Sequence, residues 1–326
     1  TKDELIDGAV LYLRIYLLGM PALGLYNFGN AVLSAAGDTK RPLYYLAFAG
    51  VVNVILNLFF VIVCHLGVAG VALASMISQF ISAFLILRAL LTGKEKYCLR
   101  LSEIRFDKRK AVGILQIGIP SAFQYSLFAF ANLFVQSSVN SFDHVLVEGN
   151  SAAANADPLV YDMMAAFYTA CSSFIAQNFG ARKKKRILQT YLICLFYSFI
   201  TSLVLGVGIY LARYPFLYLF TSDKAVVEAG ITRLSIMALS YSASAFMDAS
   251  IAASRGLGKT AVPTFVVVMG SCVFRIIWIY TIFAYFHTIQ SLYILYVFSW
   301  GITAIAENIY FFHVYRHTLT EKKELC

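Results

Sequence analysis

Three ionisable side chains stand deep inside long apolar stretches: Asp248, Arg275 and Glu307. In hydrocarbon such groups are costly, so each marks either a functional site or a buried partnership. Asp248 lies in the middle of its stretch. A carboxyl there can carry a proton, or stay ionised and hold Na⁺ or an organic cation, or serve as structural partner to an arginine. A buried arginine without a partner is untenable, so Arg275 is expected to pair with Glu307 or Asp248 in a structural role. Asp162 follows Pro158 closely and is expected near the outer interface. Asp157-Pro158 reads as an N-cap followed by proline at the first helical position.

Amides form a second set. Asn53 and Asn57 are one helical turn apart and share a face. Gln124, Asn132 and Gln136 follow at spacings of eight and four. Such a stripe is expected to line a cavity, because an amide facing lipid lacks partners. The plainer reading of these amides is interhelical hydrogen bonding, worth ~1 kcal/mol each.

Other motifs fail. Gly256 to Thr260 resembles the end of a phosphate-binding loop, but Ala253 stands where the pattern needs glycine. His313 and His317 are four apart without the glutamate of a zinc motif. Cys64, Cys98, Cys171, Cys194, Cys272 and Cys326 are scattered and read as free thiols. No catalytic residue, metal site or cofactor is expected.

The elements that must position these residues are membrane helices. Apolar residues make up 60% of the 326 and charged residues 13%, with a mean hydropathy of +0.73. Soluble domains carry roughly 25% charged residues, so the apolar excess must face a bilayer. Nine runs are long enough to cross it: 9–35, 42–64, 67–92, 111–137, 158–179, 187–212, 232–255, 263–286 and 291–315. The alternating polarity of barrel strands is missing, so the expected class is all-α. Lysine and arginine crowd alternate loops, at 40–41, 94–110, 182–186, 255–259 and 316–323, while 142–157 and 287–290 hold none. The rich side is expected to be cytoplasmic, with the C-terminus inside. The net charge of +9 is therefore topological and implies no nucleic-acid partner.

The chain also repeats itself. Gly37-x-Thr39-x-x-Pro42 recurs as Gly258-x-Thr260-x-x-Pro263, and 258 − 37 is 221. His65 and His287 follow at the outer ends of the next helices, 222 apart. Six helices separate the copies, so the unit is expected to be six helices, complete in the C-terminal copy and represented by three in the N-terminal one. Repeats of this kind are a transporter signature.

Several segments resemble the multidrug and toxic compound extrusion (MATE) family. LLGMPALGLYN and SAAGDTKRPLYY in the segment Tyr12 to Leu87 are similar to the family's helices four to six. Glu148 to Ile187, with QNFGA, resembles its eighth helix. SRGLGKTAVP from Ser254, CVFRIIWIYTIF from Cys272 and Ser299-Trp300 resemble helices ten to twelve. The resemblance implies a two-lobe, six-plus-six helix bundle of which nine helices are present and the first three are not. The expected division is 1–92 for half of the first lobe, 93–110 for a linker, 111–317 for the second lobe and 318–326 for a tail.

The resemblance further implies a secondary antiporter that exports amphipathic, often cationic, organic compounds in exchange for Na⁺ or H⁺. It would sit in the inner (plasma) membrane and need no obligate protein partner. Asp248 matches the family's C-lobe acidic site, while Glu307 departs from a neutral position. Asn30, Asn53, Asn57 and Ser75 match an N-lobe polar cluster, but Asn57 replaces an aspartate, which puts a proton site there in doubt. A lipid-linked oligosaccharide flippase is the competing reading. It would favour several central arginines, and the sequence offers Arg275 alone at mid-depth. An intramembrane enzyme would need a nucleophile–base pair at shared depth, and none is found.

Overall fold

A computed structural model describes residues 3–93 and 98–317, and all regular elements among them are helices. Lys94, Lys96, Lys322, Lys323, Cys326 and the 318–326 tail lie outside the described residues. The chain divides into two compact units, residues 1–106 and 107–326.

The first unit opens with α1 (Asp3–Leu18) and α2 (Met20–Ala35), bent by 44° at Gly19. Pro21 stands in the first turn of α2, where its missing N–H leaves no hydrogen bond unmade. α3 (Lys40–Val63) and α4 (Gly67–Thr92) complete the unit. Leu43, Phe48, Val54 and Ile62 of α3 are each more than half exposed, the pattern of a helix facing hydrocarbon.

The second unit contains α5 (Lys108–Val139), α6 (His144–Ala154), α7 (Ala156–Gly180), α8 (Lys184–Leu211), the short α9 (Arg213–Tyr218), α10 (Lys224–Gly256), α11 (Ala261–Phe286) and α12 (Ile289–His317). Among the described residues eight helices are long and apolar enough to span a bilayer, or nine if α1 and α2 form one span. Those nine coincide with the nine apolar runs of the sequence.

The expected outer loop 142–157 is different. It is mostly helix, with α6 separated from α7 only at Asn155. The Asn155 side-chain amide donates to the Ser151 and Ala152 carbonyls at 3.1 Å each. Asp157 is therefore no N-cap. It lies in the first turn of α7, and the residue at the cap is Asn155. The polar composition of α6 hides its packing. A Cβ added to Gly149 would come within 2.6 Å of Ala229 Cβ, so α6 lies tight against α10.

α10 is the hub of this unit. Its most apolar window is 67% buried, against 6% for α3. The run of serine, alanine and glycine from Ser240 to Gly256 lets neighbours approach closely. α8 does so at Gly206, where a Cβ would stand only 2.1 Å from the Ala238 carbonyl oxygen. Gly206→Val must push the two helices apart and should cost about 1–3 kcal/mol. Gly208→Val, which meets open space, is the matched control. Thermal unfolding in detergent should separate the two variants, and equal midpoints would contradict this packing.

The sequence repeat is also a backbone repeat. Gly37 and Gly258 both adopt positive φ, at 92° and 77°. His65 and His287 are both left-handed, at 52° and 48°. A π-helical turn precedes each histidine, at Phe59–Val63 and Ile279–Phe283. α11 carries a further π turn at Val268–Val273.

Candidate functional site

In the first unit, Asn57 Nδ2 donates to Asn53 Oδ1 at 3.0 Å, and Asn53 Nδ2 donates to Ser78 Oγ at 3.3 Å. Ser78 in turn donates to the Ser75 carbonyl at 2.9 Å. Asn30 is engaged separately, accepting from Ser34 Oγ at 3.0 Å. The Asn53–Asn57 pair is thus one network, to which Ser78 belongs in place of the Ser75 hydroxyl. Asn57 Oδ1 is buried without a hydrogen-bond partner.

The second unit carries a half-open cavity of about 840 Å³. Gln124, Asn132 and Gln136 all line it, so the stripe on α5 faces the cavity. Tyr161, Tyr168, Tyr293, Tyr296 and Trp300 give it an aromatic wall, and Asp157, Asp162, Asp248, Arg233, Arg255 and Arg275 bring charge.

The best-bonded of these charges is Asp157. Its Oδ2 accepts from Arg233 Nη2 at 2.7 Å, and its Oδ1 accepts from the Tyr241 hydroxyl at 2.5 Å. Arg233 is buried, and its Nη1 makes no hydrogen bond. This pair ties α7 to α10.

Arg275 does not pair with a carboxylate. Its Nη1 donates to Asn132 Oδ1 at 2.8 Å and its Nε to Ser299 Oγ at 3.3 Å. Its guanidinium carbon lies 4.5 Å from the Tyr296 ring centroid and 5.2 Å from that of Phe128. A weakly hydrated guanidinium can be held by two ring faces and two neutral acceptors, which replaces the expected ion pair with Glu307 or Asp248.

Arg255 occupies the last turn of α10 rather than a loop. Its Nη2 donates to Gln124 Oε1 at 3.0 Å, while its Nε is buried and unbonded. Asp248 stands two turns before it, half-buried on the cavity wall. Tyr168 lies beside Asp248 and Ser198, yet its hydroxyl completes no well-aligned hydrogen bond. Asp162 is exposed within the cavity. Glu307, by contrast, is wholly buried behind the wall, and neither carboxylate oxygen has a hydrogen-bond partner.

The MatE family model matches residues 1–59 and 120–281 of this sequence, well over half of it. The chain belongs to the MatE family. It is a multi-pass membrane protein of that type. The MatE chain is 33% identical over 188 residues to the probable multidrug resistance protein YpnP of Bacillus subtilis, a stretch covering 57% of this chain and 42% of the relative. It is 23% identical to the probable multidrug resistance protein NorM of Thermotoga maritima, over 80% of this chain and 57% of that one. An FAD transporter of Shewanella oneidensis is 25% identical over 67% of the chain and 49% of its own length. The MatE chain spans about half the length of these curated relatives.

Among solved structures, a MOP superfamily transporter from Pyrococcus furiosus, described as having a binding pocket of reverse polarity, superposes with a TM-score of 0.91. The identity is 21%, over 98% of this chain and 72% of the other. An outward-facing multidrug resistance MATE family transporter gives 0.89 at the same identity, over 98% of this chain and 72% of that one. At these identities the likeness establishes the fold.

Sequence reasoning missed two cavity arginines of this MatE chain. Arg233 stands near the start of a long helix and drew no reading from the sequence, while Arg255 at its end counted with a basic loop. Three arginines line the cavity, Arg275 from the middle of α11 and Arg233 and Arg255 from toward the two ends of α10. The apolar run there is 232–255, whereas the helix itself extends over 33 residues, more than a bilayer needs, so its ends can carry charge into a cavity.

Proposed function

We propose that this MatE chain works in an exporter of amphipathic organic compounds, driven by inward flow of Na⁺ or H⁺. The carrying observation is Asp248, a half-buried carboxylate without an ion-pair partner on the wall of an aromatic-lined cavity. An acid of this kind can alternate between a small cation and an organic cation, and the aromatic faces favour either a ring system or a positive charge. The names of the relatives, resistance proteins and a transporter, support transport rather than enzymatic chemistry. The lining amides Gln124, Asn132 and Gln136 would orient polar groups of the cargo. In the first unit Asn30, Asn53, Asn57 and Ser75 would contribute hydrogen bonds, with no carboxylate among them to hold a proton. The basic loops support a cytoplasmic C-terminus in a plasma membrane.

A second substrate reading rests on the arginines. Three line the cavity, and only Arg233 is neutralised by a carboxylate. Cargo with an anionic group beside a ring system, such as a flavin nucleotide, would meet Arg255 and the aromatic wall together. Proteoliposomes holding tetraphenylphosphonium or a flavin nucleotide, given imposed Na⁺ or proton gradients, test both. Gradient-dependent efflux of the cation supports the first reading, and efflux of the nucleotide alone supports the second. Efflux of neither under either gradient would overturn the exporter assignment.

A further inference from the structure

The end of the cavity beside the last turn of α10 is rich in hydrogen-bond donors. Arg255 lines it, and no carboxylate among the described residues forms an ion pair with this arginine. Its Nη2 donates to Gln124 Oε1 at 3.0 Å, while its Nε and Nη1 make no hydrogen bond among the described residues. The same bond orients the Gln124 amide. A guanidinium has only donors, so it takes the amide oxygen and leaves the two N–H groups of Gln124 Nε2 for another acceptor.

α7 adds two hydroxyls. Ser172 and Ser173 both line the cavity, partly buried. The packing of α7 on α10 sets their level. A Cβ added to Gly256, the residue after Arg255, would stand 2.7 Å from the Ser172 carbonyl oxygen and 2.9 Å from Ile175 Cγ2. Thr169 lines the cavity one turn earlier, but its hydroxyl is spent on the Ala165 carbonyl at 2.8 Å. α5 is held at this end as well, because Thr260 Oγ1, just past α10, donates to the Gln116 carbonyl at 3.3 Å. Three helices thus bring a guanidinium, an amide N–H pair and two hydroxyls to one end of one cavity.

The cavity acids stand elsewhere. Asp248 is two turns before Arg255 on the same face of α10, about 10 Å along the axis. Asp162 is ten residues before Ser172 on α7, about 15 Å along that helix. Asp157 serves Arg233 and Tyr241 near the start of α10. An organic cation therefore finds no carboxylate beside Arg255, whereas an anion finds a charge and several neutral donors. A phosphate monoester carries three terminal oxygens and can accept from all of them, where a carboxylate offers two. The planar fork of arginine suits phosphate oxygens in particular. Tyr125 and Tyr168, next in the chain to Gln124 and Thr169, also line the cavity and give a ring a surface close by.

We propose that this end of the cavity is a phosphate subsite, in which Arg255, Gln124 Nε2 and the hydroxyls of Ser172 and Ser173 hold the phosphate of an aromatic phosphate ester. The ring of the ester lies toward Tyr125 and Tyr168, and Asp248 remains free for a cation. The inference deepens the second substrate reading, on which it rests, by assigning the anionic group of the cargo to named donors.

Equilibrium binding to the full chain in phosphatidylcholine nanodiscs, followed by flavin fluorescence, reads the subsite without any transport assay. Riboflavin and riboflavin 5′-phosphate share the ring and differ in the phosphate. The ester is expected to bind roughly tenfold or more tightly, as one or more charge-assisted hydrogen bonds would give. High salt should weaken that preference. Arg255→Gln should abolish it and leave riboflavin binding unchanged. Lys259→Gln removes an exposed cation that does not line the cavity, and should leave both affinities as they are. If Arg255→Gln does not fold, Ser172→Ala combined with Ser173→Ala decides, with the preference expected to fall about threefold or more. Equal affinity for the two flavins or no binding of the ester would overturn the proposal. So would a preference that survives Arg255→Gln or the serine pair, or one lost equally in Lys259→Gln. A phosphate preference without gradient-driven efflux would leave the subsite standing and count against the exporter reading alone.

Discussion

Asp157→Ala will lower the stability of this protein sharply, by about 3 kcal/mol or more, since removing one partner of a buried ion pair leaves the other charge uncompensated. The stranded charge is Arg233, whose side chain is only 6% exposed and already has an unbonded Nη1. Tyr241 loses its acceptor in the same step. Asp157 itself is 26% exposed, and water entering from the cavity keeps the loss toward the lower end of the usual range. The partner experiment separates charge from shape. Asp157→Leu combined with Arg233→Met removes both charges and should recover most of the loss, because a buried pair and an apolar replacement of similar volume are often close in stability. Thermal unfolding of the single and double variants is the measurement. A single variant as stable as its parent would mean that the α7–α10 tie contributes nothing.

On the exporter reading proposed above, Asp248→Asn should bring gradient-driven export down to the background of empty vesicles while the unfolding midpoint stays near that of the parent. Asparagine keeps the size and hydrogen-bonding capacity of the side chain and removes only its ability to ionise. The structure makes this a clean substitution, because no arginine among the described residues forms an ion pair or hydrogen bond with Asp248. Arg275 is held by Asn132, Ser299 and two aromatic rings, and Arg255 by Gln124. A structural carboxylate would behave in the opposite way, with poor folding as the first symptom. Export and unfolding should be followed on the same preparation. Undiminished coupled export by the variant would remove Asp248 from the mechanism and direct attention to Asp162 and Glu307.

What the residues alone determined was everything that depends on partition between water and hydrocarbon. Runs of about 20 apolar residues, the basic loops and the repeated Gly-x-Thr-x-x-Pro turn fix the class, the spans and the internal symmetry, because each reports a local free energy of transfer or a local backbone requirement. The repeat even carries conformation, since Gly37 and Gly258 share positive φ and His65 and His287 share a left-handed backbone. The facing of the Gln124–Asn132–Gln136 stripe was legible too, as helical spacing fixes a face.

Tertiary structure alone decided which charge meets which. Arg275 was assigned a carboxylate because a buried cation needs compensation, but compensation can come from amides, a hydroxyl and ring faces, and nothing in one-dimensional spacing distinguishes these. Asp157 beside Pro158 carried the local signature of a cap, yet its partners are 76 and 84 residues away. Arg255 sat among loop residues by hydropathy, and only the fold brings it within hydrogen-bonding reach of Gln124, 131 residues away. Helix α6 looked like an outer loop, because a polar stretch packed through Gly149 onto α10 has no hydropathy signal of its own. Partition acts on each segment separately and can be read segment by segment. Pairing is a property of two helices at their crossing, and the crossing is set by small residues, π turns and bends whose effect appears only when the helices are packed.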